Sequence, residues 1–137
     1  MAGTNRLKRL AKAPKHQLAD PALAARLLQV DRRTLLEGRS AGPSVPREGT
    51  LLGALFEHLV GLSVSVYAQA CDTHVGHLRA LDGGHEVDLV VEQGDGIVAI
   101  EVKLAAVVDD RDVRHLHWLQ ERLGDHVLDA AIVATGH

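Results

Sequence analysis

The 137-residue chain predicts an α/β domain with a four-stranded mixed sheet flanked by helices. Three observations carry that expectation. A long apolar segment after residue 50 has helical spacing, two alternating segments flank a glycine turn, and an amphipathic segment precedes a short apolar run. The order from residue 50 is helix, three strands, helix, strand. A composition of 46% apolar and 24% charged residues excludes disorder over the whole chain and collagen-like repeats. The single Cys71 cannot close an intramolecular bridge, which excludes a disulfide scaffold and fits a reducing compartment.

The chain divides into 1–49, a basic segment with short helices and a Gly/Pro linker, and 50–137, the core. Residues 1–12 are basic without a period, and 15–19 read as a short extended piece. Asp20-Pro21 is a helix start, with Asp as N-cap and Pro where its missing N–H does no harm. Residues 22–29 continue it, with Leu23, Leu27 and Val30 at helical spacing. Asp31 caps a second short turn that Gly38 ends. Residues 38–49 are dense in Gly, Pro and Ser and read as a linker or loop.

Thr50 caps a helix running to about residue 70. It is apolar nearly all round, the pattern of a buried helix. Residues 75–81 alternate loosely as a strand. Residues 85–92 and 97–103 are clearer strands, and Gln93-Gly94-Asp95-Gly96 between them signals a hairpin. Asp109 to Asp112 supply anions at the next helix start. Val113, Leu116, Leu119 and Leu123 form its apolar stripe, and Gly124 ends it. Residues 131–134 read as an interior strand. The longest central run without a formal charge, 58–71, has 14 residues, and a membrane span needs about 18 or more. With no signal-peptide pattern either, the expectation is a soluble cytoplasmic domain without membrane contact.

Alternation fixes the hairpin register. If paired positions sum to 189, Val87, Leu89 and Val91 share an apolar face with Val98, Ile100 and Val102. Glu86, Asp88, Glu101 and Lys103 then gather on the other face, with Asp88 opposite Glu101 and Glu86 opposite Lys103. Two facing carboxylates repel by up to about 1 kcal/mol and call for a shared proton, a lysine or a divalent cation. Hard cations such as Mg²⁺ use one or two carboxylates and keep several waters. The chemistry suggested is metal-assisted phosphodiester hydrolysis. The plainer alternative is a solvated sheet face with a Glu86–Lys103 ion pair.

Glu86-Val87-Asp88, a glycine turn, then Ile100-Glu101-Val102-Lys103 resembles the core of the PD-(D/E)XK nuclease-like superfamily. The run Asn5-Arg6-Leu7-Lys8-Arg9, Pro14-Lys15, Asp20-Pro21-Ala22-Leu23-Ala24, Leu52-Gly53-Ala54-Leu55-Phe56-Glu57, that hairpin, and Ile132-Val133-Ala134-Thr135-Gly136 narrows the likeness. In that order these resemble the uncharacterised C-terminal domain of prokaryotic AAA-type ATPases, over nearly the whole chain. The resemblance implies a restriction-endonuclease-like core. It implies that Asp88 and Glu101 are metal ligands and catalytic with Lys103, and that Glu57 on the first core helix assists in binding Mg²⁺ or Mn²⁺. Glu57 also stands out unaided, as the one formal charge inside an apolar helix. Val87 replaces the proline of the superfamily's name. The implied function is a Mg²⁺-dependent phosphodiesterase acting on nucleic acid, with DNA the expected substrate. The alternative is a noncatalytic binding or regulatory module that docks on an ATPase domain or subunit. No Gly-Lys-Ser/Thr phosphate loop occurs, so no ATPase domain is expected within this sequence. The abrupt start at Met1-Ala2-Gly3 and stop at Thr135-Gly136-His137 suggest a cropped domain or a remnant gene.

Charge is uneven. Residues 1–50 carry ten Lys/Arg against four Asp/Glu, a net of +6, and residues 51–137 carry five against fourteen, a net of −9. The basic part either contacts nucleic acid or is attracted to the acidic part. Phe56, Tyr67 and Trp118 are the whole aromatic supply, which argues against readers that stack single-stranded bases. Cys71, His74 and His77 have zinc-ligand residue types but alternate across a strand. His115 and His117, two apart on a helix, cannot face each other. Trp118 reads as a packing or rim residue and Gln120 as a solvated one.

Overall fold

The computed structural model describes residues 19–37, 50–81 and 83–136. The residues before 19 and the 38–49 linker lie outside them, so the expectations for both lie outside the described residues. Asp20 caps helix α1 (Pro21–Leu27) by accepting the N–H groups of Ala22 and Leu23. Asp31 caps α2 (Arg32–Glu37) by accepting the Thr34 N–H at 2.8 Å, and that bond holds its carboxyl below the usual range. Both short helices rest against α3 (Thr50–Ala70).

Four strands follow: β1 (His74–Arg79), β2 (Glu86–Gln93), β3 (Gly96–Lys103) and, after helix α4 (Asp110–Leu123), β4 (Val127–Ala134). They lie in the order β1-β2-β3-β4. The first two pairings are antiparallel and β3–β4 is parallel, so the sheet is mixed as expected. The β2–β3 register is the predicted one from Leu89↔Ile100 to Gln93↔Gly96. Gly94 takes φ +60° in the two-residue turn, a conformation glycine adopts without a Cβ clash. Helix α4 begins with a reciprocal capping box between Asp109 and Asp112. It ends at Gly124, at φ +55°.

Four expectations are corrected. First, β2 carries a bulge. Gly76 pairs with Val90 but Leu78 pairs with Val87, so two β2 residues oppose His77. The extra residue moves Val87 into one buried cluster with Val90, Ile97, Ala99 and the α4 leucines Leu116, Leu119 and Leu123. Second, the bulge sets Glu86 against Arg79, which it binds at 3.0 Å, so Glu86 is not the partner of Lys103. Third, within the described residues α3 is covered on one side only, with Leu55 and Ala68 buried and Leu59, Val66 and Tyr67 exposed. Fourth, the 131–134 run belongs to an edge strand with exposed Ala130 and Ala131.

The sheet therefore has a dry face under α4 and a half-open face under α3. Between the C-terminal half of α3 and the sheet runs an apolar groove of about 350 Å³, lined by Val64, Tyr67, Val91, Val98, Ile100 and Leu128 among others. By length and composition, residues Leu51–Ala70 would suffice to cross a membrane, but one such helix is weak evidence and this one packs on the sheet.

The hairpin turn gives a clean test of backbone preference. A Cβ on Gly94 would meet nothing within 4 Å, so only the positive φ opposes a side chain. Gly94→Ala should lower stability by about 1 kcal/mol, and Gly94→Asn by less, because asparagine tolerates this region better. Urea denaturation at a constant slope checks both.

Candidate active site

The β2–β3 ladder ends at Leu89↔Ile100. One residue further, the Asp88 carboxylate takes over from the ladder: its Oδ2 accepts the Val102 N–H at 2.9 Å in a buried setting. This anchors Asp88 beside Glu101, and both carboxylates are buried, Asp88 at 9% and Glu101 at 3% exposure. Lys103, two residues on and so on the same face of β3, places Nζ 3.3 Å from Glu101 Oε1. The other Glu101 oxygen, Oε2, is buried with no hydrogen-bond partner. A buried orphan oxygen on a carboxylate is costly and marks a place where a ligand or proton is wanted. Burial first, and then the Asp88 charge, push the Glu101 carboxyl up to about 7 against the partial relief that Lys103 gives.

The structure adds residues that sequence spacing did not bring together. His85, just before β2, stacks on Trp118 of α4 with ring centroids 4.5 Å apart and planes within 6°. His115, one turn before Trp118 on the same helix, meets His85 edge-on at 5.4 Å, with Nδ1 atoms 3.3 Å apart. Arg114 Nε donates to His115 Nε2 at 3.1 Å. This network assigns the tautomers. An accepting Nε2 leaves the His115 proton on Nδ1, which donates to His85 Nδ1, so the His85 proton sits on Nε2. Burial, reinforced by the charges of Arg114, His85 and Lys103 and opposed by Asp88, holds His115 below the usual histidine range. His115 is thus neutral at pH 7 and within electrostatic reach of Lys103 and Asp88. The local signal was the i, i+3 pair His115/Trp118; its partner His85 lies 30 residues earlier and nothing local points to it.

Asp88, Glu101 and Lys103 therefore come together as read from the sequence. Glu57 lies in the first half of α3, half-buried, with Oε1 shielded from solvent. Among the described residues, no three His, Cys, Asp or Glu side chains gather closely enough to hold a metal ion, so Glu57 does not complete a set with Asp88 and Glu101.

Fold and site together define a mixed α/β domain with a buried carboxylate pair and a lysine at the end of a split hairpin. Residues 52–137 match the family described as Domain of unknown function (DUF4143), and the chain belongs to that family. It is a domain found in AAA-ATPase-associated proteins. No curated protein and no solved structure matches the chain.

The Glu101 shift fixes the sign of a pH dependence. Its folded value of about 7 lies above the ordinary 4.5, so the folded state binds the proton more tightly than the unfolded chain. The resulting stabilisation is complete below about pH 4.5 and is lost as pH rises through 7. At about 1.4 kcal/mol per pH unit, its full extent is on the order of 3 kcal/mol. In EDTA, Glu101→Gln should remove this part of the pH dependence and melt above wild type at about pH 8. Differential scanning calorimetry of both proteins between about pH 5 and 8 checks it.

Proposed function

We propose that this domain is a Mg²⁺-dependent phosphodiesterase acting on nucleic acid, DNA in the first instance, in a cytoplasmic setting. The observation that carries the reading is the buried, unpartnered Oε2 of Glu101 beside Asp88, with Lys103 on the opposite oxygen. Two hard carboxylate oxygens suit Mg²⁺ or Mn²⁺, which need only one or two protein carboxylates; they do not suit zinc, which prefers nitrogen and sulfur. Asp88 and Glu101 would hold the cation, whose Lewis acidity assists hydrolysis of a phosphodiester.

The chain's own groups do the rest. The Val102 N–H donates to Asp88 Oδ2 and fixes that carboxyl group in place. Glu101 would hold the cation as a carboxylate, and its raised value places the proton it would have to lose near neutral pH. Lys103, one-third exposed, keeps its ammonium where it can orient a water and balance charge growing on the phosphoryl oxygens.

A second reading has its own support. The Glu101 carboxyl is pushed up to about 7 by burial and the Asp88 charge and is already paired with Lys103. The family is associated with AAA ATPases. Both features suit a noncatalytic regulatory or binding module of an ATPase that keeps the nuclease fold.

Thermal melts separate these readings. In EDTA, Asp88→Asn should melt at or slightly above wild type, since asparagine keeps an acceptor for Val102 and removes the repulsion. In Mg²⁺ or Mn²⁺ the order should reverse, the wild type gaining about 2.7 kcal/mol at a hundredfold excess over Kd. Lys103→Ala should keep most of that shift and lose cleavage of duplex DNA. Identical melting of wild type and Asp88→Asn in both conditions would sink the metal centre. A metal shift without cleavage would establish the noncatalytic module.

A further inference from the structure

Residues 51–137 hold only five Lys and Arg against fourteen Asp and Glu. Where those five stand is informative. Arg79 is consumed by Glu86 and Lys103 by Glu101. The other three, Arg111, Arg114 and Arg122, are all exposed on α4 and form no ion pair among the described residues. An acidic domain thus gathers its three unneutralised cations on one helix, where they repel one another.

They also share a side of it. Arg111, His115, Trp118 and Arg122 are spaced i, i+4, i+7 and i+11, with Arg114 next to them. The acidic Asp110 and Glu121 lie about a quarter turn from the Arg111–Arg122 line, on the flank where Arg114 stands, and Leu116, Leu119 and Leu123 point to the core on the other flank. The basic line therefore runs where helix meets sheet. From Arg111 to Arg122 it spans about 16 Å, about five base-pair steps of a duplex at 3.4 Å each. Midway sits His85, pinned flat by Trp118 and edge-on by His115, with Nε2–H free of any hydrogen bond within the described residues. The charges of Lys103 and Asp88 are near enough to His115 to act on its titration.

We propose that this side of α4 — Arg111, Arg114 and Arg122, with His85 Nε2–H at its centre — grips the phosphate backbone of duplex DNA and leads it to the Asp88–Glu101–Lys103 centre. The delivery half rests on the phosphodiesterase reading; the binding half does not. Guanidinium forks match phosphate oxygens two at a time, and a line of three at helical spacing suits a polyanion of regular charge spacing. Tautomers fixed as described make His85 a donor, the polarity an oxyanion needs.

The test is fluorescence anisotropy of the full chain with a labelled duplex in EDTA, between about 50 and 200 mM salt. Arg111→Ala with Arg122→Ala should reduce the slope of log affinity against log salt by about 2 and weaken binding about tenfold or more at the lowest salt. Arg111→Lys with Arg122→Lys should restore the slope, and all these variants should melt as wild type, since both side chains are exposed. An unchanged slope in the folded Ala variant would overturn the assignment. So would tighter wild-type binding to poly-glutamate than to DNA, which would make the line a surface for acidic peptides. Because EDTA removes the metal, failure of the wild type to bind the duplex while it still shows the Mg²⁺ melting shift counts against this surface alone. Normal binding without that shift counts against the metal centre alone.

Discussion

One hydrogen bond organises the candidate site: the Val102 N–H donated to Asp88 Oδ2 at 2.9 Å. The β2–β3 ladder stops at Leu89↔Ile100, and a buried N–H past its end would otherwise go unsatisfied, at a cost of about 1–3 kcal/mol. Asp88 supplies the acceptor, and in doing so is fixed beside Glu101 inside the protein. Everything electrostatic follows from that placement. Two buried carboxylates cannot both be ionised cheaply, so Glu101 keeps its proton to about pH 7 and Lys103 is drawn to its Oε1. The bulge opposite His77 lies in the β1–β2 pairing at the same end of β2, where the β2–β3 ladder also stops.

The register was legible because strand periodicity is two: a one-residue slip would have mixed apolar and charged residues on both faces, so alternation alone chose the sum of 189. That brought Asp88, Glu101 and Lys103 onto one face before any coordinates. The caps at Asp20 and Asp31 were legible for a similar reason, since each acts within three residues of its own position. The bulge was not, because it arises from pairing with β1, whose weak alternation carries no register. With it went the partner of Glu86 and the face of Val87. The stacked His85–Trp118 pair joins elements more than 30 residues apart, and neither strand nor helix period records such a contact.

The two faces of the sheet also explain why the apolar pattern misled about burial. Val91, Val98 and Ile100 alternate as cleanly as core residues, yet they line the open groove beneath α3. Val90, Ile97 and Ala99, interleaved with them, make the dry core with α4. Strands apolar on both faces report that each face is covered or coverable, not which is packed more tightly. Likewise α3 is apolar all round, but within the described residues only one side meets the sheet and the short helices, leaving Leu59, Leu62, Val66 and Tyr67 in water. The charged residues therefore sit at the end of the better-packed face, where desolvation acts on them most strongly.

That location couples protons to cations. At neutral pH burial favours the uncharged form of His115 and raises Glu101 to the midpoint of its titration. The other ionisable groups at the centre are Asp88 and Lys103, one acid and one base. A divalent cation entering such a centre must displace the Glu101 proton, so cation affinity and proton affinity compete for the same oxygens. Lys103 acts on both sides of that competition: it lowers the cost of ionising Glu101 and repels an incoming cation. A divalent cation would therefore bind there more tightly as pH rises through about 7, where the proton no longer competes, and less tightly below it. A carboxylate held near the midpoint of its titration between Asp88 and Lys103 would answer to both a proton and a cation.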